Sequence, residues 1–244
     1  MDESRQKRLV AGLPVAIALV LAASGALYFA LAQIPDRTSC EELREAACSR
    51  AIASGDFKGD RLAALYRDRG RFYYYSAKFD LAIADFREAI RLNPKDASVY
   101  IERGNIYRDN GNVEGAVADF SDAIRIAPTE ALAYAHRCWA RAVIGRELAL
   151  ALADCDEALR LKPGVAIWLA ERGLVRLRLD RVDDAIADFN AALAIDGRAY
   201  VALYGRGLAK LKAGDGAGGN ADIAAAKAAD ANITTEMARY GTQP

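Results

Sequence analysis

The sequence predicts an all-α chain: a solenoid of about five stacked helix pairs with capping helices, preceded by one N-terminal transmembrane helix. Three observations lead there. A long uncharged stretch follows the first eight residues, two short markers recur at a nearly fixed spacing, and prolines punctuate the chain at the same interval. A hydrophobic share of 53% supports a packed core, and 33 basic residues against 33 acidic ones remove the broad positive surface that nucleic-acid binding needs.

From Leu9 to Pro35 no residue is charged. At about 1.5 Å per residue such a helix is long enough to cross a hydrocarbon core of about 30 Å. Arg5, Lys7 and Arg8 precede the stretch and the balanced Asp36-Arg37 follows it, so the positive-inside rule leaves the N-terminus in the cytoplasm and places the remainder outside. The same residues also fit a cleaved signal peptide, with Arg5 to Arg8 as its basic start and Ala30-Leu31-Ala32 as its cleavage site. Both alternatives export the rest of the chain.

The dipeptide Arg-Gly recurs at Arg69-Gly70, Arg103-Gly104, Arg172-Gly173 and Arg206-Gly207, with Arg137-Cys138 in the gap, so the spacing is 34, 34, 35 and 34. Ala84-Asp85-Phe86, Ala118-Asp119-Phe120, Ala153-Asp154-Cys155, Ala187-Asp188-Phe189 and Ala221-Asp222-Ile223 follow with the extra residue in the same interval. That residue therefore belongs to the turn around Ile144-Gly145-Arg146-Glu147. Each period holds two amphipathic helices, and Pro94, Pro128 and Pro163, or Gly197 in the fourth unit, follow the second. Ser39 and Glu42 suggest the cap of a preceding helix, and Asn232 to Tyr240 a closing one.

The pattern resembles the tetratricopeptide repeat family from about Ala63 to Ala229, with Tyr or Leu, Gly, Tyr, Ala, Phe, Ala and Pro at the family's intervals. The resemblance implies a right-handed superhelix. Residues 1–8 would be a cytoplasmic start, 9–34 the transmembrane helix or signal peptide, and 35–62 a linker and N-terminal capping helix. Repeats would span 63–96, 97–130, 131–165, 166–199 and, in degenerate form, 200–230, with a capping helix and tail at 231–244. Cys138 stands in for a glycine, and Arg141, Arg176 and Lys210 for the second tyrosine. Gly219 and Ile223 replace Ala and Phe, so the fifth unit is expected to pack more loosely.

By the same resemblance the first helices line a concave groove for a protein or peptide. Its residues would be Arg67, Arg71, Asn105, Arg108, Trp139, Leu174, Leu177, Tyr204 and Leu208, basic at one end and apolar at the other. A C-terminal helix lying over the apolar part would shrink this groove and make Trp139 core. Only Asn105, with arginines nearby, matches the lysine and asparagine clamp of chaperone-binding relatives, so that specificity is not carried over.

No catalytic constellation, metal-ligand spacing or phosphate loop stands out, so the chain reads as a non-enzyme without cofactor, metal or small-molecule substrate. The single histidine, His136, falls on a repeat helix and reads as a packing residue. Gly214, Gly216, Gly218 and Gly219 read as a flexible turn. Each repeat arginine is matched by an aspartate one helix later, which reads as structural ion pairing. Cys138 and Cys155 lie on the two helices of one repeat and could form a disulfide; Cys40 and Cys48 would be about 12 Å apart along one continuous helix and could pair only if that helix starts later.

The sequence therefore predicts a protein-interaction scaffold, anchored in the inner membrane through residues 9–34, with its repeats in the periplasm or otherwise outside the cytoplasm. A role in envelope complex assembly would suit it. The alternative is a soluble periplasmic or secreted protein released after Ala32.

Overall fold

The computed structural model describes residues 37–241, and the segment 9–34 lies outside the described residues. Twelve helices make up the regular structure there: α1 (Arg37–Ser54), α2 (Gly59–Tyr75), α3 (Phe79–Leu92), α4 (Ala97–Asp109), α5 (Val113–Ile126), α6 (Ala131–Ile144), α7 (Leu148–Leu161), α8 (Ala166–Arg178), α9 (Val182–Ile195), α10 (Tyr200–Lys212), α11 (Gly216–Ala229) and α12 (Ile233–Arg239). None of the described helices is long and apolar enough to cross a membrane. Helix α1 begins at Arg37, two residues before Ser39.

Each even-numbered helix from α2 to α10 packs against the helix after it, and each of these pairs stacks on the next. The first helices of successive pairs also touch one another, whereas the second helices lack comparable contact. A stack whose first helices lie closer together curves toward them, so α2, α4, α6, α8 and α10 form the inner, concave face.

Inside three pairs a phenylalanine ring is pressed against a glycine. A Cβ on Gly70, Gly104 or Gly173 would come within 2.8, 2.6 or 2.7 Å of Phe86, Phe120 or Phe189, each fully buried. No other side chain fits such an approach. The third pair departs from this: Cys138 and Cys155 hold the glycine and phenylalanine positions and are joined by a disulfide, with 5.3 Å between their Cα atoms. Both are buried. The fifth pair departs in another way, and the expected looseness is absent. A Cβ on Gly207 would meet the Gly219 carbonyl at 2.8 Å, and one on Gly219 the Gly207 carbonyl at the same distance. Two glycines facing each other let the backbones of α10 and α11 approach directly.

The arginines form a ladder. Arg69, Arg103, Arg137, Arg172 and Arg206 each donate two hydrogen bonds of 2.6–2.9 Å to Asp85, Asp119, Asp154, Asp188 and Asp222. The aspartates are at most 9% exposed, so the pairs hold the two helices in register through bidentate, poorly solvated bonds. Four of the arginines also reach the second helix of the preceding unit, at Ser49, Ser121, Asp156 and Asn190. The equivalent position for Arg103 is Arg87, which offers no acceptor.

A left-handed residue marks the turn inside every pair: Ala77, Gly111, Gly145, Asp180 and Gly214. In four turns one residue follows before the second helix starts; after Gly145 two do, Arg146 and Glu147, which locates the 35-residue spacing. Of the glycines near the last turn, only Gly214 has positive φ. Gly216, Gly218 and Gly219 belong to α11, and the Asp215 carboxylate caps it by accepting from the Gly218 amide at 2.8 Å.

Candidate functional site

The inner face divides into two parts. Along α2, α4 and α6 it is polar. Arg67 pairs with Asp96 at 2.8 Å, and the Arg71 guanidinium forks onto Glu102. The Tyr74 hydroxyl donates to Asp109 at 2.8 Å; burial and the neighbouring carboxylate push it up to about 12. Arg108 donates to Asp109 at 2.9 Å and lies 5.7 Å over the Trp139 ring. Between these groups the Asn105 Oδ1 is buried and receives no hydrogen bond. Such an atom is an acceptor left unmet by the described residues.

His136 stacks on Phe120 at 5.3 Å between ring centroids. Burial first, then the Arg108 charge, lowers its imidazole to about 4, so it is neutral at physiological pH and serves as packing.

Along α8 and α10 the sequence-based reading needs correction. Leu174 and Tyr204 are fully buried, and Leu177 and Leu208 are only 6% and 8% exposed. They share one apolar cluster with Ile233, Met237 and Tyr240 of the C-terminal segment. Helix α12 lies on α10 and α11, and Tyr240 reaches Trp139 edge-on at 6.1 Å. These four residues are therefore core, and the accessible part of the predicted groove is Arg67, Arg71, Asn105, Arg108 and the half-buried Trp139.

Sequence reasoning missed Glu171, which occupies the same repeat position as Asp68, Glu102 and His136. It is half-buried on α8. Burial pushes its carboxyl up to about 8; Arg108 pulls against this and Glu236 adds to it. A polar residue two places before Gly70, Gly104, Cys138 and Gly173, replaced by Gly205 only in the last unit, was the available signal. Among the described residues no cluster of histidine, cysteine or carboxylate side chains could hold a metal ion.

The tetratricopeptide repeat model matches residues 67–131 and 141–200, just over half of the chain. The chain belongs to the tetratricopeptide repeat family. No curated protein matches it in sequence. Solved tetratricopeptide-type structures share the fold. That of MamA is 21% identical, with 75% of this chain and 97% of that one aligned at a TM-score of 0.61. YrrB, described as a TPR protein with an unusual peptide-binding site, is 17% identical over 79% and 98% at 0.63. PilW, described as a widely conserved type IV pilus biogenesis factor, is 18% identical over 75% and 87% at 0.64. In this tetratricopeptide array the open inner face is the surface that recognition can use.

Proposed function

We propose that the chain is a protein-interaction scaffold that binds an extended peptide or partner subunit along α2, α4 and α6, outside the cytoplasm. The observation that carries the reading is the buried, unbonded Asn105 Oδ1 between the Arg71–Glu102 and Arg108–Trp139 contacts. A backbone amide from a bound peptide would satisfy it. The peptide-binding and pilus-biogenesis descriptions of YrrB and PilW are consistent with such a role. The buried Cys138–Cys155 bridge suits an oxidising compartment, and the uncharged run at 9–34 would hold the array at the membrane as a single-pass anchor with a cytoplasmic N-terminus. An assembly role in an envelope complex fits that placement.

Photocrosslinking from native membranes tests the binding face with the full chain and an Arg71→Ala/Asn105→Ala variant. A partner captured by the first and lost by the second is expected; equal capture would move the interaction elsewhere. Intact-mass measurement on the native protein tests the anchor, since release after Ala32 removes the first 32 residues.

A further inference from the structure

In four units the repeat arginine reaches outward as well as to its aspartate. The Nη1 of Arg69, Arg137, Arg172 and Arg206 donates to Ser49, Ser121, Asp156 and Asn190 at 2.8–3.1 Å. In the last three of these the acceptor stands 16 residues before the arginine, on the second helix of the preceding unit. At the same spacing before Arg103 stands Arg87, which can only donate. Arg103 is held from two sides. Its Nε and Nη2 donate to Asp119 at 2.8 and 2.6 Å, and the Tyr100 and Tyr107 rings lie 5.9 and 5.7 Å from its guanidinium, so that only 16% of the side chain is exposed. Its Nη1 has no hydrogen bond among the described residues. Arg87 is exposed on α3 and, among the described residues, makes no ion pair. The carboxylates that could answer it are engaged elsewhere: Glu88 by Arg91 at 2.9 Å, Asp119 by Arg103 at 2.6 Å and Asp122 by Arg125 at 3.0 Å.

We infer that the seam between Arg87 of α3 and Arg103 of α4 is a phosphate site on the outer side of the array, apart from the inner face. The fourth unit supplies the template, because there an anionic oxygen of Asp156 accepts from Arg172 Nη1 at 2.8 Å. At Arg103 the acceptor position carries a second guanidinium, so the fitting ligand has oxygens for both and charge to match both. A dianionic phosphate group meets that requirement, one oxygen taking the Arg103 Nη1 and the others the planar donors of Arg87. Bound there, it supplies the outward contact that the other four arginines find within the chain. It therefore stabilises the folded array by mass action.

The test is a calorimetric titration of the full chain with inorganic phosphate, with sodium chloride holding the ionic strength constant, at about pH 8 where the phosphate is mostly dianionic. Melting curves are recorded alongside. Arg87→Ser places the acceptor of the third unit beside Arg103, and is expected to bind phosphate at least about tenfold more weakly than the parent chain. Arg91→Ser removes the same charge from α3 and should leave the affinity within about twofold. Arg87→Asp reproduces the Asp156 contact within the chain, so it should melt above the parent without phosphate and gain nothing from it. No heat of binding beyond that of chloride would overturn the inference. So would equal affinity in Arg87→Ser, an equal loss in Arg91→Ser, or a phosphate-dependent rise in melting temperature that persists in Arg87→Asp. O-phosphoserine, titrated in the same way, separates the sources. Binding that Arg87→Ser weakens for both probes supports a site for a phosphate group carried on a larger ligand, and binding of inorganic phosphate alone supports a site for the free ion.

Discussion

In the units built on α2–α3 and α4–α5, the buried aspartate meets one arginine, whose guanidinium lies 5.6–5.9 Å from two tyrosine rings, Tyr66 and Tyr73 or Tyr100 and Tyr107. In the three later units the second tyrosine is absent. Arg141, Arg176 or Lys210 reaches the same carboxylate at 2.6–2.9 Å, so two cations share each aspartate. The cost of burying a carboxylate is offset with aromatic faces in one half and with extra charge in the other. Asp222 illustrates the second solution: burial works to raise it, but hydrogen bonds from Arg206 and Lys210 outweigh burial and hold it below the ordinary carboxylate range. The inner face divides along the same line, open over the early units and covered by α12 over the late ones.

The largest expected effect breaks the early half. Phe120→Ala removes a fully buried ring from against Gly104 and is expected to cost about 3–5 kcal/mol in a urea melt. Asp188→Asn and Asp119→Asn sharpen the comparison directly. Each should lose about 3 kcal/mol, with Asp188→Asn the worse because it strands Arg172 and Arg176 together. Equal losses would mean that the second cation contributes nothing.

Reduction tests the later half. Breaking the Cys138–Cys155 bridge is expected to cost about 2–4 kcal/mol, read as a lower melting temperature in dithiothreitol. Cys138→Gly/Cys155→Phe installs the glycine–phenylalanine contact of the neighbouring units and should remove the reductant sensitivity that this bridge contributes.

The smallest effect is Glu171→Gln. The folded carboxyl titrates near 8 against an ordinary 4.5, so the protonated form is favoured in the fold. Stability is full below pH 4.5 and declines as pH rises through 8, and the variant should flatten that decline, an effect kept small at pH 9 by the solvent access of the half-buried carboxyl.

The helical period, the arginine–aspartate ladder and the extra residue after Gly145 were legible because each is fixed by local spacing within one repeat. The burial of Leu174, Leu177, Tyr204 and Leu208 was legible only as an alternative, because it depends on where a seven-residue helix more than twenty residues downstream comes to rest. Tertiary packing decided that, and no spacing records it. The close seat of α11 was misread for a related reason: Gly219 departs from the family pattern, yet opposite Gly207 it lets two backbones meet. Glu171 escaped because a single glutamate on an amphipathic helix looks solvated until its neighbours are known.

The missing acceptor opposite Arg103 has a mechanical consequence. At the seam between α2–α3 and α4–α5 the outer tie carried by the other arginines is absent, while Arg67–Asp96, Arg71–Glu102 and Tyr74–Asp109 all cross it on the inside. A joint fastened along one edge bends one way. At this seam the array is therefore expected to tighten its curl more readily than it straightens, which would draw the two early units together around Asn105.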